Sequence, residues 1–215
     1  MNVQLAQLKV PPGNQLLLRA IDWSQFETIL EELGEGRSAR LSYSNGLLEI
    51  MVPLPEHEKA KELIGDLVKI LLDAQNIRFE SLASTTLKNE PMSQAVEPDA
   101  CFYIQNCDAV IGRNRLDLAI DPPPDLAIEI DLTARTQFDN YQILGVPELW
   151  RYRNRRLQIN VLQGDRYVES NLSPTFANIP IVDLVNRTID RGLKQGRTVA
   201  IRELRNWLEQ NCNYC

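Results

Sequence analysis

Two apolar segments of this sequence each carry a pair of acids that could act together. Glu97 and Asp99 lie near the start of the first segment, and Glu129 and Asp131 lie near the end of the second. Side chains two apart on a strand point to the same face of a sheet, so each pair shares a face. If the two strands pair, three or four carboxylates converge. Like charges at such distances raise one another's pKa unless a cation lies between them.

Carboxylate oxygens are hard ligands that suit Mg²⁺ or Mn²⁺. A metal ion at this position could polarise a phosphodiester and activate a water molecule for in-line attack. The alternative is structural, because salt bridges to Arg135 or Arg151 could satisfy the same acids. The sequence therefore predicts either a carboxylate metal site or a set of neutralised acids at the ends of strands.

Length and composition fit a globular protein. The chain has 215 residues, of which 44% are hydrophobic and 24% charged, which excludes disorder. No linker, repeat, membrane-spanning run or signal peptide is evident, which predicts one domain over residues 1–215 and a cytoplasmic location. Because the net charge is −6, contact with nucleic acid would need a local basic patch or bridging metal ions.

The cysteines and the histidine argue against a zinc site. Cys212 and Cys215 have C-x-x-C spacing, but Cys101 and Cys107 do not form the second pair that a closed zinc site needs. His57 is the one histidine in the chain, which excludes a site with two histidines. Free thiols in a reducing compartment are expected.

The periodicity of apolar residues predicts a mixed α/β sheet with helices packed against it. Asn45 and Gly46 supply the turn of the clearest hairpin, and Asp22 with Gln25 forms a capping box. Helices are expected at 22–33, 55–74, 133–146 and 198–210, single strands at 14–20, 77–84, 95–104, 125–132 and 165–170, and hairpins at 39–52 and 148–162.

Several phrases of the sequence carry a resemblance to a known family: GLLEIMVPLPEHE, STT, EPDACFYIQN, DPPPDLAIEIDLT and GVPELWRY. The chain resembles the PD-(D/E)XK restriction-endonuclease-like superfamily, and within it the large bacterial family that is abundant in cyanobacteria. The resemblance implies a nuclease core at about 39–170, a mixed sheet flanked by helices. An N-terminal helix and hairpin and a C-terminal helix would be additions to that core. The implied activity is metal-dependent phosphodiester cleavage.

The same resemblance assigns the metal ligands. Asp99 matches the motif aspartate and Glu129 the motif glutamate, and these two would hold Mg²⁺ or Mn²⁺ with the Ile130 carbonyl as a further oxygen. Asp131 stands where the superfamily motif has its lysine. It is interpreted as an extra ligand or as a residue at the rim of the site.

The lysine of the motif is missing from a second place as well. In this family it commonly lies four residues before a tyrosine, here Tyr141, and that position holds Gln137. Glutamine keeps a hydrogen-bond donor but loses the positive charge, a loss that typically costs about 10²–10³ in rate. Arg135 or Lys88 could compensate for the lost charge. Gln137 is a catalytic candidate, and the activity of the protein is expected to be reduced.

Other residues each have two interpretations. Arg151, Arg153, Arg155 and Arg156 are candidate phosphate contacts or a solvated hairpin tip, and a second basic cluster comprises Arg187, Arg191, Lys194 and Arg197. Trp150 and Tyr152 suit the core better than base stacking. At the start of the long helix, Glu58 or Glu62 could assist the metal through water. The alternative there is a capping role for His57 and solvated acids.

The leading functional hypothesis is a metal-dependent endonuclease that hydrolyses DNA, most naturally double-stranded DNA. A catalytically silent nucleic-acid-binding or assembly module on the same fold is the main alternative. A metal pocket kept only for stability is a third. Cleavage of both strands of a duplex would suit a homodimer.

Overall fold

The computed structural model describes residues 9–34, 36–131 and 138–211. Four residues named above lie outside these ranges, namely Arg135, Gln137, Cys212 and Cys215. Within them the helices are α1 (Trp23–Leu33), α2 (Pro55–Ala74), α3 (Cys107–Val110), α4 (Phe138–Ile143), α5 (Ile181–Gln195) and α6 (Arg197–Gln210). No described helix is long and apolar enough to cross a membrane.

The strands form two sheets, one of five strands and one of six. The five-stranded sheet has the order β1-β3-β2-β6-β5, and the six-stranded sheet has the order β11-β10-β9-β8-β7-β4. β8 and β9 pair in parallel, whereas the other neighbouring strands pair antiparallel. The strands are β1 (Gln15–Arg19), β2 (Arg40–Ser44), β3 (Leu47–Met51), β4 (Glu80–Ser81), β5 (Leu87–Asn89), β6 (Gln94–Val96), β7 (Ala100–Tyr103), β8 (Leu126–Ile130), β9 (Glu148–Arg153), β10 (Arg156–Gln163) and β11 (Arg166–Ser170).

Local signals in the sequence set several of these boundaries. Asp22 and Gln25 form a complete capping box at the start of α1. Pro55 occupies the first turn of α2, where its missing N–H costs nothing. Asn45 and Gly46 both have positive φ, at 45° and 88°, as a tight turn between β2 and β3 requires.

The two faces of the six-stranded sheet have different roles. Leu126, Ile128 and Ile130 point into the main core, which α2, α5 and α6 cover. Ala127 points to the opposite face and belongs to a smaller core with Tyr141 of α4. Since side chains alternate along a strand, Glu129 shares the face of Ala127 and lies beneath α4.

The predicted strand at 95–104 is wrong in its continuity. The chain leaves the five-stranded sheet after β6, passes through Glu97, Pro98 and Asp99, and enters the six-stranded sheet as β7. Pro98 has no N–H to give to a ladder, which favours such a break. The mixed α/β fold with flanking helices is confirmed, but it is built on two sheets that meet at this crossing.

Several other elements differ from expectation. Helix α5 was not predicted, although its buried residues recur at helical spacing. Within the predicted strand at 77–84, the ladder holds only Glu80–Ser81. The predicted helix at 133–146 is described from Phe138 to Ile143, with the preceding six residues outside the described ranges.

Helix α4 is fixed to the five-stranded sheet by one buried amide. Nδ2 of Asn140 lies 3.0 Å from Oγ of Ser42, 3.1 Å from the Tyr43 carbonyl and 3.2 Å from the Ala95 carbonyl. Replacing Asn140 by Ala leaves these acceptors without that donor, and we expect a loss of about 1–3 kcal/mol in the free energy of unfolding. Urea denaturation measures it, with exposed Asn106→Ala as a control expected to stay within about 0.5 kcal/mol. Equal stability of the two variants would contradict this account of how α4 is held.

Candidate active site around Asp99 and Glu129

The strand pairing brings Asp99 and Glu129 side by side. The N–H of Asp99 donates to the Ile128 carbonyl at 3.1 Å, and Ala100 faces Ile128 across the β7–β8 ladder. The N–H of Ile130 in turn donates to Oδ2 of Asp99 at 2.8 Å. Both acids are buried, with Asp99 2% and Glu129 8% exposed. Asp99 therefore occupies a fixed position at the end of β7, next to Glu129 in the centre of the sheet.

The pair carries an electrostatic conflict. Burial raises the pKa of Glu129 well above its ordinary value, and the charge of Asp99 raises it further. A hydrogen bond with Asp99 and the charge of Asp131 act in the same direction, while the hydroxyl of Tyr141 lowers the pKa by donating to Glu129. Two buried carboxylates in this state favour either a shared proton or a bound cation.

Tyr141 closes the site from the side of α4. Its hydroxyl donates to Oε1 of Glu129, and the side chain is fully buried. Burial and the neighbouring charge of Glu129 raise the pKa of Tyr141 well above its ordinary value, so the hydroxyl stays a donor. Asn140, the preceding residue, fixes the same helix to the other sheet, which makes the position of the tyrosine rigid.

His57 lies on the other side of Asp99. Its Nε2 atom lies 3.1 Å from Oδ2 of Asp99, without the alignment of a good hydrogen bond, and Nδ1 lies 3.6 Å from Oε1 of Glu58. The imidazole is buried, and the N-cap residue of α2 is Leu54. The capping role considered for His57 is therefore wrong, because the side chain turns inward against Asp99.

Two cationic side chains stand at the edge of the site. Nε of Arg40 lies 3.8 Å from Oδ1 of Asp99, too far for a hydrogen bond. Nζ of Lys61 lies 3.2 Å from Oγ of Ser84 and 3.4 Å from Oε2 of Glu58. Ser84 also reaches the Asp99 carbonyl at 3.5 Å. Positive charge is thus close to the carboxylates without neutralising them by direct hydrogen bonds.

Asp131 has a cation of its own. Oδ2 of Asp131 accepts a hydrogen bond from Arg151 at 2.6 Å and lies 3.8 Å from Nε of Arg153. Arg151 faces Glu129 in the β8–β9 register. The salt bridge to Arg151, which was the structural alternative for these acids, is present for Asp131.

Glu97 is held by a different set of groups. Its carboxylate pairs with Arg37 and accepts hydrogen bonds from the Leu41 N–H at 3.0 Å and the Thr86 hydroxyl at 2.7 Å. These partners are contributed by the segments next to the five-stranded sheet. Glu97 thereby secures the crossing between the two sheets.

The remaining candidates are distributed as follows. Trp150 and Tyr152 are buried in the main core, and Lys88 pairs with Glu27 at 2.7 Å. In the second basic cluster, three cations pair with acids of the chain itself, namely Arg191 with Glu203, Lys194 with Asp190 and Arg197 with Asp66. Five further candidates have exposed side chains, namely Glu62, Arg153, Arg155, Arg156 and Arg187. Arg151 is 14% exposed at its side chain.

The donor set of the pair fits one hard divalent cation. Among the described residues no group of three or more His, Cys, Asp or Glu side chains could hold a metal ion. Magnesium does not need such a cage, since it is often bound by one or two carboxylates together with water and substrate phosphate. The raised pKa of Glu129 beside Asp99 is the observation that favours a cation here, because a cation removes the repulsion.

Sequence reasoning missed several contacts of the site, among them those of Tyr141 and Arg40. Tyr141 served only to align the motif, yet it contacts Glu129. No motif pointed to Arg40, although it stands beside Asp99. The feature of the sequence that could have indicated the contact of Tyr141 is its place in a predicted helix beside apolar residues. For Arg40, the corresponding feature is a positively charged residue at the start of the most clearly predicted hairpin.

Comparisons with known proteins gave a family match and a similar solved structure. Residues 23–191 match the model of the family Uma2, described as "Putative restriction endonuclease". Among solved structures, a crystal structure of a putative nuclease belonging to DUF820 from Anabaena variabilis is similar, with 14% sequence identity and a TM-score of 0.47. The similarity covers 64% of this chain and 83% of that chain. No curated protein matches the chain.

The raised pKa of Glu129 makes stability depend on pH. In the unfolded chain a glutamate ionises near its ordinary pKa, about 4.3, whereas in the folded protein Glu129 holds its proton to higher pH. In EDTA the wild type should therefore lose stability relative to Glu129→Gln as pH rises from that value through the raised pKa. For every pH unit by which the folded-state pKa exceeds the unfolded one, the loss amounts to about 1.4 kcal/mol. Urea unfolding of both proteins over this range measures the difference, and parallel curves would show that Glu129 is not perturbed.

Proposed function

The chain belongs to the Uma2 family of putative restriction endonucleases, and we propose that it is a metal-dependent endonuclease that hydrolyses DNA phosphodiester bonds. The observation that supports this most is the buried pair of Asp99, directly before β7, and Glu129 on the adjacent β8, with the pKa of Glu129 raised. Family membership supports a nuclease-like function, and the chemistry of the pair supports the dependence on Mg²⁺ or Mn²⁺.

Asp99 and Glu129 would hold the cation through their carboxylate oxygens. A divalent cation bound there supplies Lewis-acid activation of the phosphodiester and lowers the pKa of a bound water molecule. The Ile130 N–H keeps Asp99 in position, with the buried imidazole of His57 packed beside it, and Tyr141 keeps Glu129 in position. Such rigid support matters because catalytic groups lose efficiency with small displacements.

The cations at the edge of the site would receive the phosphate. Arg40 lies 3.8 Å from Asp99, and Lys61 contacts Ser84, which reaches the Asp99 carbonyl, so both could contact an anionic group held at the pair. Positive charge placed where negative charge develops stabilises a transition state most effectively in a water-poor environment. The exposed residues Arg153, Arg155 and Arg156 are proposed to contact the DNA backbone farther along the same side of the sheet.

We further propose that residues 1–215 act as one unit with a nuclease core at about 39–170. The crossing from β6 to β7 and the docking of α4 tie both sheets to the same site. Double-stranded DNA is the proposed substrate, and a homodimer would present two such sites to its two strands.

A silent nucleic-acid-binding module is the second candidate. The observation that favours it is the pairing of Asp131, at the position of the motif lysine, with Arg151. An acid at this position adds negative charge, and the arginine bound to it is not available to act in place of the motif lysine. In this case DNA would bind without being cut.

Cleavage tests the first candidate. With Mg²⁺ or Mn²⁺ we expect nicking of a supercoiled plasmid by the wild type and a loss of about 10²-fold or more in single-turnover rate for Asp99→Asn and Glu129→Gln. Glu169→Gln, which changes an exposed acid on β11, is the matched control and should retain the rate. DNA binding by the wild type without any metal-dependent nicking would favour the silent module instead.

Metal binding has a readout that is independent of turnover. Mn²⁺ should raise the melting temperature of the wild type, since a ligand present at 100 times its Kd stabilises the folded state by about 2.7 kcal/mol. Glu129→Ala should abolish this rise. In EDTA at neutral pH, Glu129→Gln, which keeps an acceptor for Tyr141, should be more stable than the wild type because the repulsion with Asp99 is gone. Thermal unfolding with and without Mn²⁺ measures both effects, with Glu169→Ala as control. An identical response to Mn²⁺ in wild type and Glu129→Ala would place the metal elsewhere.

A further inference from the structure

A cavity of about 520 Å³ lies beside the Asp99 site. It is bounded by helix α1, the start of β2, the segment 82–88 and the loop 114–116, and we refer to it as the α1 cavity. Two of its lining residues touch Asp99, since Arg40 approaches the carboxylate at 3.8 Å and Ser84 approaches the carbonyl at 3.5 Å. Its volume falls within the range of about 300–1,000 Å³ that is usual for small-molecule sites.

The lining of the α1 cavity is cationic although the chain as a whole has a net charge of −6. Four cationic side chains face three carboxylates, the cations being Arg37, Arg40, Lys88 and Arg115 and the acids Glu27, Glu31 and Glu97. Lys88 pairs with Glu27, and Arg37 pairs with Glu97. Arg40 is shared between the carboxylates of Glu58 and Asp99, each at 3.8 Å, so Arg115 is the cation of the lining best placed to meet an anionic ligand.

Arg40 marks the side of the cavity where that anion would lie. Nε of Arg40 is buried and has no hydrogen-bond partner within the described part of the chain. It lies 3.8 Å from Oδ1 of Asp99, so it stands at the boundary between the carboxylate pair and the cavity. Because this nitrogen is closed to the cavity, a phosphate oxygen would meet the accessible part of the Arg40 side chain, which is 16% exposed.

The rest of the cavity has the character of a base-binding pocket. Leu30, Leu82 and Leu116 supply apolar surface, and Thr85 supplies a hydroxyl. A nucleobase has apolar faces and polar edges, which suits such a mixed lining. Exposed Glu31 at the cavity could accept hydrogen bonds from an exocyclic amino group, as carboxylates do with cytosine.

We propose that the α1 cavity binds one unstacked nucleotide of the strand whose phosphodiester faces Asp99 and Glu129. The proposal rests on the proposed nuclease function and adds a subsite to it. Turning a nucleotide out of a duplex costs stacking and pairing energy, and least where the base is unpaired or mispaired. The cavity therefore gives the protein a preference for DNA that contains an unpaired nucleotide over a perfect duplex.

Binding in EDTA at fixed salt tests this preference without requiring cleavage. The probes are a matched duplex and the same duplex with one unpaired nucleotide, each carrying a fluorescent label. We expect the wild type to bind the second probe about tenfold more tightly. Thr85→Trp, which fills the cavity, should bring the ratio to about one. Equal binding of both probes by the wild type would overturn the proposal.

Two arginines of one loop provide a matched pair of variants. Arg115 lines the cavity, whereas Arg113, which is also exposed, does not line it. Arg115→Ala should reduce the preference several-fold, and Arg113→Ala should keep it. Because Arg115 is exposed, this variant tests the cavity even if Thr85→Trp fails to fold, which circular dichroism would reveal. If the preference is undiminished in Arg115→Ala and also in a folded Thr85→Trp, the cavity is excluded as its origin.

A free mononucleotide has the same chemistry as a nucleotide in a strand, so its binding to the cavity is tested separately. Deoxyadenosine monophosphate should compete for the cavity and weaken the preference for the unpaired probe. Tight binding of the mononucleotide without any preference between the two duplexes would assign the cavity to free nucleotides and overturn the strand proposal.

The outcome is separable from that of the nuclease proposal. Metal-dependent nicking without a preference for the unpaired nucleotide would remove the cavity proposal alone. A preference without nicking would leave the cavity in place and remove the nuclease activity.

Discussion

Repulsion between two buried carboxylates is the constraint on which the arrangement of this protein depends. Asp99 and Glu129 lie side by side at positions where burial alone disfavours charge, and each is held by a group that cannot easily move. The Ile130 N–H belongs to the sheet, and Tyr141 belongs to a helix anchored by Asn140. The nearest cation, Arg40, stops at 3.8 Å. The fold therefore keeps the two acids together instead of relieving their repulsion, which is the arrangement that a cation-binding site requires.

This constraint explains why the site lies where the two sheets meet. The chain passes from β6 to β7 through Glu97 and Asp99, and these two acids have different attachments. Glu97 is tied to Leu41 and Thr86 next to the five-stranded sheet, while Asp99 is tied to the backbone of β8 in the six-stranded sheet. Helix α4 repeats the pattern with adjacent side chains, one for each sheet. Displacing one sheet against the other would thus disturb the carboxylate pair directly.

The sequence predicts the elements better than it predicts their assembly. Apolar periodicity and capping signals locate α2 with the bounds that the structure has, and the Asn45–Gly46 turn locates the first hairpin. The pairing of the strands that carry Asp99 and Glu129 is also anticipated. Periodicity cannot reveal that one apolar run serves two sheets, because Ala95 and Cys101 are equally apolar. It gives no sign that His57 turns inward, since the direction of a side chain at a helix start depends on tertiary contacts.

Asp131 places a negative charge at the position of the motif lysine, and Arg151 supplies the compensating positive charge. An acid at this position would add a third negative charge to the pair, but Arg151 on the neighbouring parallel strand neutralises it at 2.6 Å. In register, Arg151 lies opposite Glu129, so a cation is still present in the row of side chains that crosses the sheet. An arginine stays protonated and can stabilise negative charge, but it cannot release or accept a proton near neutral pH. In the proposed nuclease, a proton that leaves the attacking water molecule must therefore go to another group or to solvent.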